Sequence, residues 1–175
     1  GGPVLALAAL PLPWLRALPF RLAAWLRRPP PLAFAVLIGA AFAALSTLLA
    51  SYAFHFAPTT ADEIAQLWHA RILLHGHLAL PADPNAEFFA VDNVIDTGKW
   101  YSQFPIGGPL VLAVAYLIRV PWLLDPLLGG LTAALLYHFA RRAYGEPQGR
   151  AVAVLFALSP VTLLMSASYM NHVPV

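Results

Sequence analysis

The residues that could do chemistry in this chain are concentrated in one polar stretch, residues 59–109. It opens with Thr60-Ala-Asp62-Glu63 and closes with Trp100-Tyr-Ser-Gln-Phe-Pro-Ile-Gly-Gly-Pro109. Seven of the eight acidic residues and four of the six histidines lie between His55 and Asp125. A carboxylate in such a stretch can serve as a general base or as a metal ligand, so a polar, functional loop is predicted here.

Two signals predict a helix at the start of this stretch. Thr60 and Glu63 have the spacing of a capping box, in which a hydroxyl and a carboxylate satisfy free backbone N–H groups. Gly76 stands where a left-handed residue is expected to end the helix, between His75 and His77. The two histidines could bind a metal ion, although histidines beside a capping glycine more often only end a helix.

The predicted helix is amphipathic. At 100° per residue its apolar side and its polar side separate cleanly. The apolar side carries Ile64, Leu67, Trp68 and Leu74, and the polar side carries Asp62, Gln66 and His69. We therefore expect the helix to lie on a bilayer with its apolar side down and its polar side facing water or a substrate. Asp62 is not needed for the capping box, although it could simply favour the positive end of the helix dipole.

Composition predicts a membrane protein. Hydrophobic residues make up 60% of the 175 and charged residues only 10%, whereas a soluble domain is nearer one quarter charged. There is no cysteine, which excludes disulfides and thiolate metal sites. The formal charge of +2 is small, and we expect no nucleic-acid partner. The chain reads as the N-terminal fragment of a larger membrane protein.

Three apolar segments are predicted to cross the membrane, at residues 32–54, 122–140 and 151–167. The first has 23 residues without a charge, or ~35 Å of helix, enough to cross a hydrocarbon core of ~30 Å. Pro160 is expected to kink the third. Residues 106–118 would extend only ~20 Å and are expected to lie in the interface. Residues 1–31 read as a basic, Pro-rich cytoplasmic leader.

Basic residues set the predicted orientation. With three crossings, seven arginines are cytoplasmic and three basic residues lie outside, and the loop at residues 55–121 is extracytoplasmic. The three outer cations are Arg71, Lys99 and Arg119. Each could bind an anionic substrate group or could equally be an interfacial anchor.

A hairpin is predicted in the second half of the loop. Residues 88–91 and Trp100-Tyr101 are strand-like and flank a turn at Asp96-Thr-Gly-Lys99. Pro105 suits the first turn of the short interfacial helix. Gly107 and Gly108 would let a backbone or a lipid phosphate come close. The predicted fold is therefore all-α and membrane-integral, with about three spans, two interfacial helices and a small outer hairpin.

Four segments in this order resemble a known family. They are Asp62-Glu63, the Trp100–Pro109 run, Tyr137-His-Phe-Ala-Arg141-Arg-Ala-Tyr-Gly145, and Ser159-Pro160 followed by Tyr169-Met-Asn-His172-Val-Pro174. Together they resemble the N-terminal third of a GT-C glycosyltransferase of the protein mannosyltransferase and aminoarabinose transferase type. The resemblance covers residues 32–175.

The resemblance implies transfer of a sugar from a polyprenyl-phosphate donor on the non-cytoplasmic face, in a bacterial inner membrane. It makes Asp62 the expected catalytic carboxylate. The expected substrate-binding residues are Gln66, His69, Arg71, Lys99, Tyr101, Gly107, Gly108 and His172. Many relatives place a second acidic residue where this chain has Asn171-His172. Either another residue such as His172 or Glu87 serves instead, including as a ligand if a divalent metal ion is used, or this branch works differently.

A transporter or lipid-handling protein is the alternative. Such a protein should carry charges or broken helices within its spans. Because the polarity here is concentrated in one loop, the sequence favours the enzyme.

Overall fold

The computed structural model describes residues 29–82, 85 and 92–170, and within them the chain is mostly helical. The helices are α1 Pro31–Ala53, α2 Ala61–Leu74, α3 Gly107–Leu117, α4 Pro121–Tyr144, α5 Glu146–Ala157 and α6 Pro160–Ala167. Three short strands lie between α2 and α3: β1 Leu80–Pro81, β2 Val94–Asp96 and β3 Lys99–Ser102. Residues 1–28 of the predicted leader at 1–31 lie outside the described residues, and Pro31 is the first residue of α1.

Two helices, α1 and α4, are long and apolar enough to cross a membrane, with 23 and 24 residues. The pair α5 and α6 would make a third crossing, but the two helices are bent by 58°. By length and composition, the first two of the three predicted spans are therefore confirmed, and the third is a span only if the bent pair crosses as one.

Pro160 causes the break between α5 and α6. Because proline has no backbone N–H, it cannot continue the hydrogen bonding of α5 and instead begins α6. The hydroxyl of Thr162 donates to the carbonyl oxygens of Phe156, at 2.7 Å, and Ser159, at 3.0 Å. The two carbonyl oxygens also accept backbone N–H groups, of Ser159 and Leu163 respectively, so the hydroxyl reinforces the turn at the break. The predicted kink is confirmed, and it is sharp enough to separate two helices.

Glycines bring α1 and α4 into close contact. A Cβ atom placed on Gly130 would lie 2.5 Å from the carbonyl oxygen of Gly39, and one on Gly39 would lie 2.7 Å from that of Gly130. The space beside Gly129 is filled by the Phe42 ring and Ser166. Small residues at such crossings let helix backbones approach closely, which is how helices associate in lipid.

One end of the bundle is closed by a charged network around Glu146. Its carboxylate accepts hydrogen bonds from the Tyr137 hydroxyl at 2.7 Å and Arg150 Nε at 2.6 Å, and pairs with Arg141 Nε at 2.5 Å. The Arg150 guanidinium also donates to the carbonyl oxygen of Pro29 at 2.7 Å. This network ties the beginning of α1 to α5, and we refer to this side as the basic end.

The opposite end, the loop end, carries α2, the strands and α3. Leu67 and Ala70 of α2 pack against Leu112 and Ala113 of α3, with Tyr169 beside them. The end of α1, the beginning of α4 and the end of α6 meet this layer. The polar stretch is thus held at one end of the bundle, opposite the basic end.

The strands form a small antiparallel sheet in the order β1-β3-β2. Ile95 pairs with Tyr101 and Leu80 with Trp100, and Gly98 takes a φ of +81° in the turn. The predicted turn and its second strand are confirmed. The first strand of the hairpin is Val94–Asp96, and the predicted 88–91 segment lies outside the described residues.

Large apolar side chains cover the outside of the spanning helices. On α1 and α4 they include Leu37, Leu48, Leu131, Leu135 and Phe139, each more than half exposed. A soluble protein rarely exposes so large a continuous apolar surface, so these faces are expected to contact lipid.

The separation of the two ends gives a topology prediction. Because the chain has no cysteine, Thr97→Cys and Gln148→Cys each create a single labelling site on an exposed residue at opposite ends. We expect a membrane-impermeant maleimide to label the two variants from opposite sides of the membrane. Labelling of both from one side would contradict the predicted orientation.

Candidate functional site

A groove of about 640 Å³ opens at the loop end, between α2, α3 and the beginning of α4. Its wall is aromatic. The aromatic residues that line it are Phe56, Trp68, Tyr116, Trp122 and Tyr169. Ligand sites in proteins are typically apolar clefts of ~300–1,000 Å³ with a few polar groups, and this groove has that character.

Two arginines supply the positive charge of the groove. Arg71 comes from α2 and Arg119 follows α3. The Arg71 guanidinium lies over the Tyr116 ring, 5.4 Å from its centroid. A cation over an aromatic face is attracted by the ring and keeps its N–H donors free at the edge. The groove is therefore lined by two residues that carry guanidinium groups.

Arg119 occupies a position that normally requires glycine. Its backbone N–H donates to the carbonyl oxygen of Tyr116 at 3.0 Å, and the N–H of Val120 donates to the carbonyl oxygen of Ala115 at 3.1 Å. These two bonds are the pattern of a helix end capped by glycine. The φ of Arg119 is +61°. A side chain in this conformation costs about 1–2 kcal/mol, so the fold accepts strain in order to place this arginine at the groove.

The far wall of the groove joins the first and last described helices. The Tyr169 hydroxyl donates to the carbonyl oxygen of Phe56 at 2.9 Å, and the Phe56 ring lies 4.8 Å from that of Trp122. His55 and Phe56 both have positive φ, of 51° and 55°. Burial, followed by the nearby Tyr116 and acidic groups, raises the pKa of Tyr169 to about 12. The phenol therefore remains a hydrogen-bond donor at physiological pH.

A second cavity of about 390 Å³ adjoins the groove along α2. It is lined by Trp68, Arg71, Ile72, His75, His77 and Leu80. Trp68 and Arg71 line both spaces, so the two cavities are neighbours along α2. The prediction that Gly76 ends α2 in a left-handed conformation is confirmed, with a φ of +78°. The backbone N–H groups of Gly76 and His77 donate to the carbonyl oxygens of Leu73 and Ile72.

The capping role of Glu63 is confirmed with one change of partner. The Glu63 N–H donates to the Thr60 hydroxyl at 3.3 Å, as expected. Its carboxylate accepts from the backbone N–H of Thr59 at 2.9 Å and from the Thr59 hydroxyl at 3.3 Å, one residue earlier than a standard capping box. Glu63 is buried, and its two oxygens are used to fix the entry into α2.

Asp62 lies on the other side of α2 from the groove. Its carboxylate accepts a hydrogen bond of 2.6 Å from the side chain of Asn93, a residue with a φ of +68°. The Gln103 side chain donates in turn to Asn93. Asp62 is thus held against the hairpin and is separated from Arg71 by the width of the helix.

The prediction that Gln66 and His69 face water is wrong. Gln66 is fully buried and His69 is 4% exposed, whereas Ile64 is 43% exposed. The reason is tertiary packing: α3 and the sheet cover the polar side of α2, and His69 Nε2 contacts the carbonyl oxygen of Leu78 at 3.1 Å. Neither residue lines the groove.

The hairpin residues and the glycines do not converge on the groove either. Lys99 is exposed beside the β2–β3 turn, and Tyr101 is half-buried on β3. Gly107 is exposed and Gly108 buried at the beginning of α3, while the groove is lined by the other end of that helix. Among the substrate-binding residues implied by the resemblance that lie in the described segments, only Arg71 lines the groove. Arg119, considered with it as an outer cation, lines the groove as well.

Two remaining candidates, Glu87 and His172, lie outside the described residues. Within residues 29–82, 85 and 92–170, no group of three or more His, Asp or Glu side chains is placed to hold a metal ion.

Asp125 is a polar residue that the sequence reasoning did not select. It is 2% exposed in α4, one of its carboxylate oxygens has no hydrogen-bond partner, and it lies within electrostatic range of Glu63. Both side-chain amide atoms of Gln66 are also buried without a partner. The sequence contained a signal for a functional role of Asp125, because it is the only charged residue in the predicted span at residues 122–140.

Comparison with protein-family models, with curated proteins and with solved structures finds no match to this chain. The function proposed below is therefore inferred from the side chains at the loop end.

Proposed function

We propose that the groove binds the lipid-phosphate part of a polyprenyl-phosphate sugar donor, and that the protein takes part in transferring the sugar to an acceptor. The observation that carries this proposal is the pairing of two arginines with an aromatic wall in one groove. Guanidinium groups bind phosphate oxygens strongly, and an apolar wall accepts an isoprenoid chain. The reaction is assigned to the non-cytoplasmic face of a bacterial inner membrane.

The arginines would assist the step that breaks the donor bond. The acceptor hydroxyl oxygen forms a bond to the anomeric carbon, while the bond from that carbon to the phosphate oxygen breaks. The lipid phosphate leaves with the bonding electron pair, and the acceptor proton passes to a base. Arg71 and Arg119 stabilise the charge on the departing phosphate.

Asp62 is the proposed base. It lies in the first turn of α2, where the helix N-terminus attracts negative charge. Its carboxylate faces Asn93 and the hairpin, and α2 separates it from Arg71 in this structure. The base role of Asp62 therefore rests on the family resemblance and is tested by substitution.

Arg119→Gly is expected to have opposite effects on stability and on ligand affinity. Glycine relieves the positive φ, so the variant should be more stable by about 1 kcal/mol. It also removes a charged donor from the groove, so it should bind farnesyl phosphate at least tenfold more weakly, on the order of one charge-assisted hydrogen bond. Thermal unfolding and tryptophan fluorescence titration in micelles measure the two effects.

Arg142→Ala is the matched control, because it removes an exposed arginine from the basic end. It should leave farnesyl phosphate affinity unchanged. Loss of affinity in both variants would indicate general attraction of anions, and unchanged affinity in Arg119→Gly would contradict the proposed phosphate site.

A transport or lipid-handling function is the second candidate. It is favoured by the buried Asp125, one of whose carboxylate oxygens has no hydrogen-bond partner, and by the buried amide of Gln66. The broken pair α5 and α6 also favours it, because broken helices are typical of transporters. Movement of a labelled lipid phosphate between the leaflets of vesicles, without transfer of sugar, would favour this function over glycosyl transfer.

A further inference from the structure

We propose that the second cavity binds the saccharide of the same ligand whose lipid phosphate occupies the groove. The inference rests on the proposed function and adds the direction in which the donor lies. The isoprenoid chain would lie in the groove, the phosphate at Arg71, and the sugar beside His75 and His77. The cavity of about 390 Å³ is within the usual size range of small-molecule sites.

The adjacency of the two spaces is the first argument. Trp68 and Arg71 are one helical turn apart on α2, and both residues line both cavities. An elongated ligand that lies along α2 would contact the aromatic groove, then Arg71, then the second cavity. A glycosyl phospholipid has the same order of parts: apolar chain, phosphate, sugar.

The change in chemistry across Arg71 is the second argument. On the groove side the wall is aromatic and apolar, and on the other side it includes two imidazoles. The Nδ1 atom of His75 lies 2.8 Å from the Arg71 carbonyl oxygen and must donate to it, because a carbonyl only accepts. In the neutral ring Nε2 is then left as an acceptor for a sugar hydroxyl.

Trp68 provides an aromatic surface for the sugar ring. It is held by an edge-to-face contact with Trp100, with ring centroids 6.0 Å apart at 67°. Because Trp68 is partly exposed and lines both cavities, one ring can contact the sugar on one side and the lipid on the other. An indole with a few convergent polar groups is a common way to bind an amphipathic ligand.

The test compares bare farnesyl phosphate with farnesyl phosphate that carries glucose, mannose or galactose. In the wild-type chain at least one of the three glycosylated probes should bind about tenfold more tightly than the bare lipid, the value of one or two hydrogen bonds. A variant with His75→Ala and His77→Ala should reduce that preference to less than about twofold while it binds bare farnesyl phosphate normally. Tryptophan fluorescence measures all of these affinities.

Leu78→Ala is the control, since Leu78 is exposed next to the histidines but does not line the cavity. It should keep the preference. If the wild type binds all four probes equally, the inference is overturned and the phosphate site survives. If the histidine variant weakens bare and glycosylated probes alike, the histidines act on the phosphate and the inference is also overturned. If no probe binds, the proposed function itself fails.

Discussion

Asp62→Asn is expected to lower sugar transfer by about 100-fold or more, the usual scale for loss of a general base. Asparagine has nearly the same shape and can still accept the hydrogen bond that Asn93 donates to position 62 at 2.6 Å. The contact between α2 and the hairpin should therefore remain, and expression and unfolding temperature should be unchanged. Transfer of radiolabelled sugar from a polyprenyl-phosphate donor in membranes measures the effect.

Glu63→Gln is the matched control on the neighbouring carboxylate. Its oxygens accept hydrogen bonds from Thr59, so the substitution should mainly lower stability, by about 1 kcal/mol or less. Near-normal transfer in Asp62→Asn together with lost transfer in Glu63→Gln would show that Glu63, and not Asp62, is the catalytic carboxylate.

Gly130→Leu is expected to disrupt the crossing of α1 and α4. Even a Cβ atom at this position would lie 2.5 Å from the Gly39 carbonyl oxygen, which is backbone and cannot rotate away. The helices would have to separate, at a cost of about 1–3 kcal/mol. Thermal unfolding in detergent micelles should show a lower midpoint, with the helix content of the folded state preserved.

Gly107→Ala is the corresponding control, because a Cβ atom at Gly107 meets nothing within 4 Å. The unfolding midpoint of this variant should stay close to that of the wild type. An equal loss of stability in both variants would mean that the crossing at Gly130 is not what limits stability.

The elements of the fold were largely predictable because their signals are local. The charge-free run after Pro31 gives α1, Thr60 and Gly76 mark the two ends of α2, and Gly98 marks the hairpin turn. Each of these features depends on residues within one or two turns of chain. Local rules of capping, length and turn chemistry are sufficient for such features.

The composition of the site was less predictable because it depends on how elements pack. Periodicity assigned Gln66 and His69 to a free polar face, but it could not show that α3 and the sheet cover this face. The groove forms instead on the side of α2 that carries Trp68 and Arg71. Which side of an amphipathic helix is free is decided by its neighbours, and no single-helix pattern contains that information.

The left-handed backbone conformation of Arg119 could not be predicted either. A glycine at the end of a helix is a strong signal, whereas an arginine in the same backbone position gives none. Likewise, β1 includes Pro81, and proline within a short segment argues against a strand unless the segment lies at an edge.

The hydrogen bond from Tyr169 to Phe56 has a consequence for the order in which the protein is made. It joins two residues 113 positions apart, and both line the groove. During synthesis, the segment that contains Phe56 leaves the ribosome long before Tyr169. The nascent chain can therefore insert α1 and form α2 while the groove still lacks one wall. Lipid binding would become possible only late, after the broken pair α5 and α6 has docked, which would keep an incomplete protein from capturing its ligand.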